Sequence, residues 1–164
     1  MHKIEIIQRK VISRMDLSRW LAIARFKNRK IVFTNGCFDI LHRGHAEYLA
    51  AASELGDMLL VGLNTDESVR KLKGESRPYM DEAARSIILA SLSFVSAVVL
   101  FAEDTPYELI RQVEPDVLVK GGDYRTEEIV GHDLVAARGG RVLSLAFTAG
   151  YSSTDLIGKI KGNS

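Results

Sequence analysis

Apolar residues along this chain fall in short compact runs, separated by longer stretches where they recur at helical spacing. Five runs predict strands: Ile31-Val32-Phe33-Thr34, Met58-Leu59-Leu60-Val61-Gly62-Leu63, Ala97-Val98-Val99-Leu100-Phe101, Asp116-Val117-Leu118-Val119 and Arg141-Val142-Leu143-Ser144-Leu145. The stretches around them predict helices. One covers Asp16 to Lys27, capped by Asp16, with Trp20, Ile23, Ala24 and Phe26 as its apolar positions. A second runs from about Gly44 to Leu55 on a face of Tyr48, Leu49, Ala51, Ala52 and Leu55, and Gly56 is placed to end it. A short helix follows Asn64-Thr65-Asp66, and Asp81 caps another that buries Ala84, Ile88 and Leu92. Thr105-Pro106-Tyr107-Glu108 has the form of a capping box with proline at the first helical position, and Pro115 lies just past that helix. A helix around Glu127 to Arg138 stops at Gly139-Gly140, and a last one starts near Ser153 and carries Leu156, Ile157 and Ile160.

Strands that are apolar throughout, alternating with helices, predict an α/β Rossmann-like fold. The expectation is a five-stranded parallel sheet with helices on both faces, in a single domain over 1–164. Its N-terminal helix spans about 16–27 and its core about 31–160, and Lys161-Gly162-Asn163-Ser164 is expected to be a frayed tail. In such sheets ligands bind beyond the carboxyl ends of the strands, where the strand order reverses. His42, Lys120 and Ser152-Ser153-Thr154 each follow a strand end, so residues far apart in sequence should converge on one site.

Composition narrows the classes. A formal net charge of +1 argues against a general nucleic-acid or membrane surface, though local basic clusters remain able to bind a small anion. Cys37 is the only cysteine, so no internal disulfide forms, and a reducing, cytoplasmic setting is expected. The opening Met1-His2-Lys3-Ile4-Glu5 lacks the apolar run of a signal peptide, and no apolar stretch is long enough to span a bilayer.

The candidate chemistry centres on His42-Arg43-Gly44-His45. Two histidines three positions apart share one face of a helical turn. The glycine between them removes a Cβ, and a helix N-terminus offers unpaired N–H groups to an anion. The residues alone leave three readings: phosphate binding, a zinc site made with Cys37, or packing. Ser152-Ser153-Thr154 either caps the last helix or grips phosphates, with Gly150 permitting close approach. Lys120-Gly121-Gly122-Asp123 is a turn or a ligand-facing loop. Lys73 and Arg77 flank Gly74 in a loop suited to a mobile anion clamp, whereas Lys71 belongs to a solvated helix face. There is no Gly-x-Gly-x-x-Gly fingerprint, no P-loop and no Gly-x-Ser-x-Gly elbow.

The segment Thr34-Asn35-Gly36-Cys37-Phe38-Asp39-Ile40-Leu41-His42-Arg43-Gly44-His45 resembles the signature of the cytidylyltransferase-like nucleotidyltransferases: a strand, a Gly-x-Phe-Asp turn, then His-x-Gly-His. Gly150-Tyr151-Ser152-Ser153-Thr154 matches the family's second signature, and the resemblance runs from about Ile31 to Ile160. Leu72-Lys73-Gly74-Glu75-Ser76-Arg77-Pro78, Glu103-Asp104-Thr105-Pro106 and Val119-Lys120-Gly121-Gly122-Asp123-Tyr124 resemble the heptose 1-phosphate adenylyltransferases within that family.

The resemblance implies transfer of AMP from ATP, carried with Mg2+, to D-glycero-β-D-manno-heptose 1-phosphate. The products would be pyrophosphate and ADP-heptose for lipopolysaccharide or another heptose-containing glycan. It implies a homo-oligomer, commonly a dimer, and a separate kinase and phosphatase earlier in the pathway. By the same resemblance, His42, His45, Lys73 and Arg85 form the catalytic set. Thr34, Asn35, Gly36, Cys37, Phe38, Gly44, Lys120, Gly121, Asp123 and Tyr151 surround the nucleotide, and Ser152, Ser153 and Thr154 grip its β- and γ-phosphates. Asp39, Lys73, Arg77 and Arg85 face the second substrate. Two departures stand out: Phe147 takes a position where relatives often carry arginine, and the run Asp81-Glu82-Ala83-Ala84-Arg85 differs from the usual one before that arginine. Two other functions remain open, a cytidylyltransferase for a small polyol or amino-alcohol phosphate and a non-catalytic nucleotide-binding subunit. A sugar phosphate is already an anionic nucleophile, so direct in-line displacement without a covalent intermediate is expected.

Overall fold

The computed structural model describes residues 2–147 and 150–162. In chain order the elements are α1 (Lys3–Gln8), β1 (Val11–Ile12), α2 (Arg14–Phe26), β2 (Ile31–Gly36), α3 (Arg43–Ser53), β3 (Met58–Asn64), α4 (Asp66–Lys73), α5 (Glu82–Ser91), β4 (Ala97–Phe101), α6 (Tyr107–Val113), β5 (Val117–Gly121), a 3-10 turn (Thr126–Glu128), α7 (His132–Ala137), β6 (Arg141–Leu145) and α8 (Ser153–Ile160).

The strands form one parallel sheet in the order β1-β4-β3-β2-β5-β6. There are six strands where the sequence predicts five. The extra one, β1, is two residues long and joins the edge of the sheet through Val11 and Ile12 opposite Val98 and Val99. Two residues between Arg9-Lys10 and Ser13 carry no periodicity, so only the tertiary pairing makes them a strand. The preceding α1 was also not anticipated; it has no buried residue.

Alternate strand residues feed two cores. On one face Phe33, Leu60, Val99 and Leu118 pack with Leu17, Leu21, Leu109, Val113 and Val135 from α2, α6 and α7. On the other, Val32, Leu59, Val61, Val98 and Val119 pack with Tyr48, Leu49, Ala52, Leu89 and Ala90 from α3 and α5. That two-sided burial is why the strands read as continuous apolar runs.

Several helix faces differ from expectation. In α2 the buried stripe is Leu17, Leu21 and Ala24, while Ile23 and Phe26 are exposed, and the cap is Ser13, whose hydroxyl accepts from Asp16 N–H at 3.1 Å. In α3, Ala51 is exposed. In α5 the stripe is Arg85, Ser86, Leu89 and Ala90, one position off the apolar series, because an arginine occupies the inward row. Asp81 does cap α5, accepting from Ala84 N–H at 2.7 Å. No capping box forms at α6: Pro106 is the cap residue itself, and Glu108 pairs with Arg111 instead. The stretch from Glu127 to Arg138 is divided into the 3-10 turn and α7 at Gly131, which has φ 88°. Asn163 and Ser164 of the expected tail lie outside the described residues.

Chain direction across the sheet decides where a ligand can enter. From β2 the chain steps outward through β3 to β4, then crosses back to place β5 on the other side of β2. Strand order therefore reverses between β2 and β5, and their carboxyl ends, Gly36 and Gly121, border a crevice.

Candidate active site

The floor of the crevice is tied together below its opening. Thr34, fully buried in β2, and Tyr48 of α3 share a hydrogen bond of 2.6 Å between their hydroxyls, and Tyr48 also donates to the Val119 carbonyl of β5 at 3.4 Å. Burial pushes the Tyr48 phenol up to about 12, against the opposing effect of the Thr34 hydrogen bond, so it stays protonated. Thr34 is thus a strut beneath the site rather than a lining residue, a correction to the expectation that it touches the nucleotide.

Beyond β2 the chain turns sharply into α3. Phe38 holds φ at 44°, an uncommon and strained conformation for an aromatic residue. Its ring sits 5.2 Å from that of His45 at 67°. His42 is the N-cap residue of α3, and no side chain caps that helix. The two histidine rings stack at 3.9 Å with 26° between their planes. Gly44 makes room for this: a Cβ there would lie 3.1 Å from the His42 ring and 3.3 Å from Tyr151 Cβ. The space freed by the glycine is taken by the protein's own side chains, not left for a ligand.

Burial favours the neutral form of both histidines. Burial lowers the His42 pKa. For His45, burial, then the neighbouring His42 and Lys73, bring the pKa down to about 4, with the Ile40 carbonyl acting the other way. The Nδ1 atoms of both rings are buried, and no aligned hydrogen bond closes at either.

His45 opens into a cavity of about 440 Å³, walled by the ends of β2, β3 and β5 and by residues from α4, α8 and the loops. Asn35, Gly36, Cys37 and Phe38 line it, with Lys73 at the end of α4, Lys120 and Gly121 at the end of β5, and Ser153 in the first turn of α8. Burial lowers the Lys120 pKa, with Cys37 acting in the opposite direction. Lys73 is exposed, and Gly74 after it has φ 95° with open space around it. Ser153 Oγ donates to the Ile40 carbonyl at 3.4 Å, while Ser152 caps α8 by accepting from Asp155 N–H at 3.0 Å. His42, Gly150, Tyr151 and Ser152 line a second, smaller recess of about 130 Å³ together with Lys159. Arg43 leans away from both histidines, pairing with Glu47 at 2.6 Å and donating to Tyr151 Oη at 3.2 Å.

Other expected site residues serve the frame. Arg85 is 1% exposed. Its Nε donates to Met80 O at 2.9 Å, Nη1 to Cys37 O at 2.7 Å and Asn64 O at 2.9 Å, and Nη2 to Asp66 Oδ1 at 2.6 Å. With those donors spent inside the protein, Arg85 does not face a substrate. Asp39 touches the cavity wall, but its Oδ1 accepts from Tyr79 N–H at 2.7 Å and Met80 N–H at 3.1 Å, and its Oδ2 lies 2.8 Å from Arg77 Nε as an ion pair. Arg77 also stacks over the Tyr79 ring at 4.9 Å and lines neither recess. Asp39 and Arg77 therefore pin the loop after α4, which removes Arg77 from the mobile clamp expected of it and Lys73. Asp123 and Thr154 are exposed and line neither recess.

The cavity also contains residues the sequence reading left out: Tyr48, Asn64, Leu72, Asp104, Tyr124 and Phe147. Asn64 and Asp104 were findable, since a polar residue at or just past the carboxyl end of a buried strand lies on the ligand side of the sheet. Among the described residues no group of three or more His, Cys, Asp or Glu side chains forms a metal cluster, so Cys37, His42 and His45 make no zinc centre.

A parallel sheet with its crevice at the reversal of strand order, and histidines, lysines and a helix N-terminus around it, defines a Rossmann-like nucleotidyltransferase architecture. A family model described as Cytidylyltransferase-like matches residues 33–159, and the chain belongs to that family. It is a nucleotidyltransferase enzyme. It is 52% identical over 151 residues to Bifunctional protein HldE of Trichlorobacter lovleyi, covering 92% of this chain and 31% of that protein. The corresponding protein of Citrifermentans bemidjiense is 57% identical over 141 residues, 85% of this chain and 29% of the relative. The chain thus spans about a third of the length of these curated relatives. Among solved structures, the lipopolysaccharide core biosynthesis protein from Thermoplasma volcanium aligns with TM-score 0.60 and 28% identity, over 73% of this chain and 97% of that one. Pantoate-beta-alanine ligase from Francisella tularensis, complexed with beta-gamma ATP and beta-alanine, aligns with TM-score 0.58 over 92% of this chain and 77% of that one. At 16% identity this second likeness shows the fold alone. Among the described residues no helix is long and apolar enough to cross a membrane.

Proposed function

We propose that this chain transfers the adenylyl group of ATP to D-glycero-β-D-manno-heptose 1-phosphate, releasing pyrophosphate and ADP-heptose. The observation that carries this reading is the single cavity onto which His45, Lys73, Lys120 and Ser153 open, at the carboxyl ends of β2 and β5. The similarity to the HldE proteins supports it, as do the Leu72–Pro78, Glu103–Pro106 and Val119–Tyr124 segments that favour a heptose phosphate.

The chemistry asks for few specialised groups. The sugar phosphate oxygen attacks the α-phosphorus of ATP, the bond to the bridging oxygen breaks, and pyrophosphate leaves with its electron pair. Bringing two anions together and stabilising charge on the α-phosphoryl oxygens is the main barrier. In this reading the uncapped N-terminus of α3 and the neutral His42 and His45 rings donate to the triphosphate. Neutral rings cost little to hold empty and gain charge when phosphate arrives. Lys120 flanks the nucleotide, and Ser152 and Ser153 meet the far phosphates. Lys73, at a helix end followed by an unrestrained glycine, bridges to the sugar phosphate.

Mg2+ would enter with the triphosphate. The donor set fits a metal held mainly by phosphate and water, since Asp39 is committed to Arg77 and backbone N–H groups, and Asp104 is the remaining carboxylate on the cavity wall. The ion would neutralise charge on the triphosphate when bound. A homodimer, and a kinase and phosphatase supplying the heptose 1-phosphate, belong to the same proposal.

Pyrophosphate release, measured with ATP and CTP against a panel of sugar 1-phosphates, tests it. The expected result is release with ATP and the β-heptose phosphate. Release with CTP and a polyol phosphate instead would replace the substrate assignment.

A further inference from the structure

Phe147 has no role in the chemistry above, yet it lines the cavity. It is 43% exposed, unusual for an aromatic ring with so many neighbours. Its centroid lies 5.3 Å from the Tyr48 ring and 6.3 Å from His45, the latter edge-on at 87°. Its far edge rests against Gly121: a Cβ at that glycine would lie 2.3 Å from Phe147 Cζ and 2.8 Å from Cε1. Gly121 has no positive φ to explain it. A side chain at the end of β5 would displace the ring beside it.

Aromatic and cationic groups share the cavity wall: Phe147 lines it together with His45, Lys73 and Lys120. Tyr124, the next aromatic residue, also lines the cavity and packs its ring against Gly122, where a Cβ would lie 2.5 Å from Cε2. A triphosphate needs the cationic groups; an exposed aromatic surface contributes nothing to phosphate. A flat, weakly polar ligand part is what such a ring recognises.

We propose that Phe147 is the platform on which the nucleobase stacks, and that Gly121 is a specificity-determining position because any side chain there displaces that ring. The proposal rests on the nucleotide part of the function above and is independent of the sugar. A stacking surface of this kind favours the larger purine face.

The test compares binding of ATP with binding of inorganic tripolyphosphate, which has the phosphates and no base. Phe147→Ala should weaken ATP about ten- to a hundred-fold, with tripolyphosphate binding unchanged and the loss for CTP smaller than for ATP. Phe147→Trp should retain ATP binding. Gly121→Ala provides an independent route: it leaves Phe147 in the chain but moves its ring, and should reproduce the selective loss. The double variant should bind ATP no worse than the weaker single one. Equal losses for ATP and tripolyphosphate, or unchanged ATP binding in Phe147→Ala, would overturn the proposal. No sugar phosphate is present in these assays, so a failure of the heptose assignment cannot produce either result.

Discussion

Replacing Arg85 with methionine should damage stability before chemistry. The substitution keeps an unbranched side chain on α5 but removes every donor. The carbonyls of Cys37, Asn64 and Met80 lose their partner, and Asp66 loses its ion pair. Asp66 is partly exposed and recovers water, so its share is small. The carbonyls are less fortunate: each stripped acceptor costs about 1–2 kcal/mol. The Cys37 and Met80 contacts are only partly buried and sit at the low end of that range, so the three carbonyls with the small share of Asp66 come to about 3–5 kcal/mol. For a domain of this length that corresponds to a fall in Tm of roughly 10 °C. Arg85→Lys keeps the charge and part of the bonding, and should lose about half as much. Urea unfolding of the three proteins measures the differences, and turnover below the melting range separates stability from activity. If Arg85→Met unfolds within about 1 kcal/mol of the parent yet loses turnover, the guanidinium contacts reacting groups and the frame assignment is wrong.

Other outcomes follow from the same geometry. His45→Ala should lower turnover by about 100-fold, the loss associated with one key transition-state donor, while circular dichroism shows the fold unchanged; near-normal turnover would remove His45 from the chemistry. The lowered His45 pKa makes stability depend on acid: the contribution is complete above about pH 6.5, falls as the unfolded chain takes up the proton, and is gone near pH 4. Allowing for solvent screening, urea unfolding between those limits should show a decline of about 2 kcal/mol that His45→Ala lacks. Nucleotide binding should reverse the shift, so calorimetry near pH 5.5 in buffers of different ionisation enthalpy should register proton uptake, reduced in His45→Ala to the share of His42. Thr34→Val should cost about 1 kcal/mol by leaving the Tyr48 hydroxyl only its longer bond to the Val119 carbonyl, and adding Tyr48→Phe should recover part of it.

How much of this was legible in the chain depends on what each residue contacts. Four of the five long strands announced themselves because both faces are buried; the edge strand β6, with no buried residue, was legible from its apolar Val142, Leu143 and Leu145. His42, Lys120 and Ser153 could be placed at one end of the sheet because strand polarity fixes where carboxyl ends lie. β1 could not be read, since two residues hold no pattern without β4 beside them. The resemblance turned Arg85 toward the second substrate, and nothing in its own stretch of α5 signals a buried guanidinium. Only the folded chain brings three carbonyls from separate segments around it. Asp39 and Arg77 show a related effect: an arginine near a phosphate motif suits an anion, but Arg77 pairs with the Asp39 carboxylate first. Phe147 was noted as a departure without a role, and the clue that gives it one, the missing Cβ of Gly121, lies across the β5–β6 pair.

The central claim, adenylyl transfer to a heptose phosphate at the His45–Lys120 cavity, is tested most directly by mass spectrometry of one reaction. The chain is incubated with Mg2+, equal ATP and CTP, and D-glycero-β-D-manno-heptose 1-phosphate. The account predicts ADP-heptose in step with pyrophosphate and little CDP-heptose. CDP-heptose as the main product, or nucleotide left intact while the protein remains folded, would contradict it.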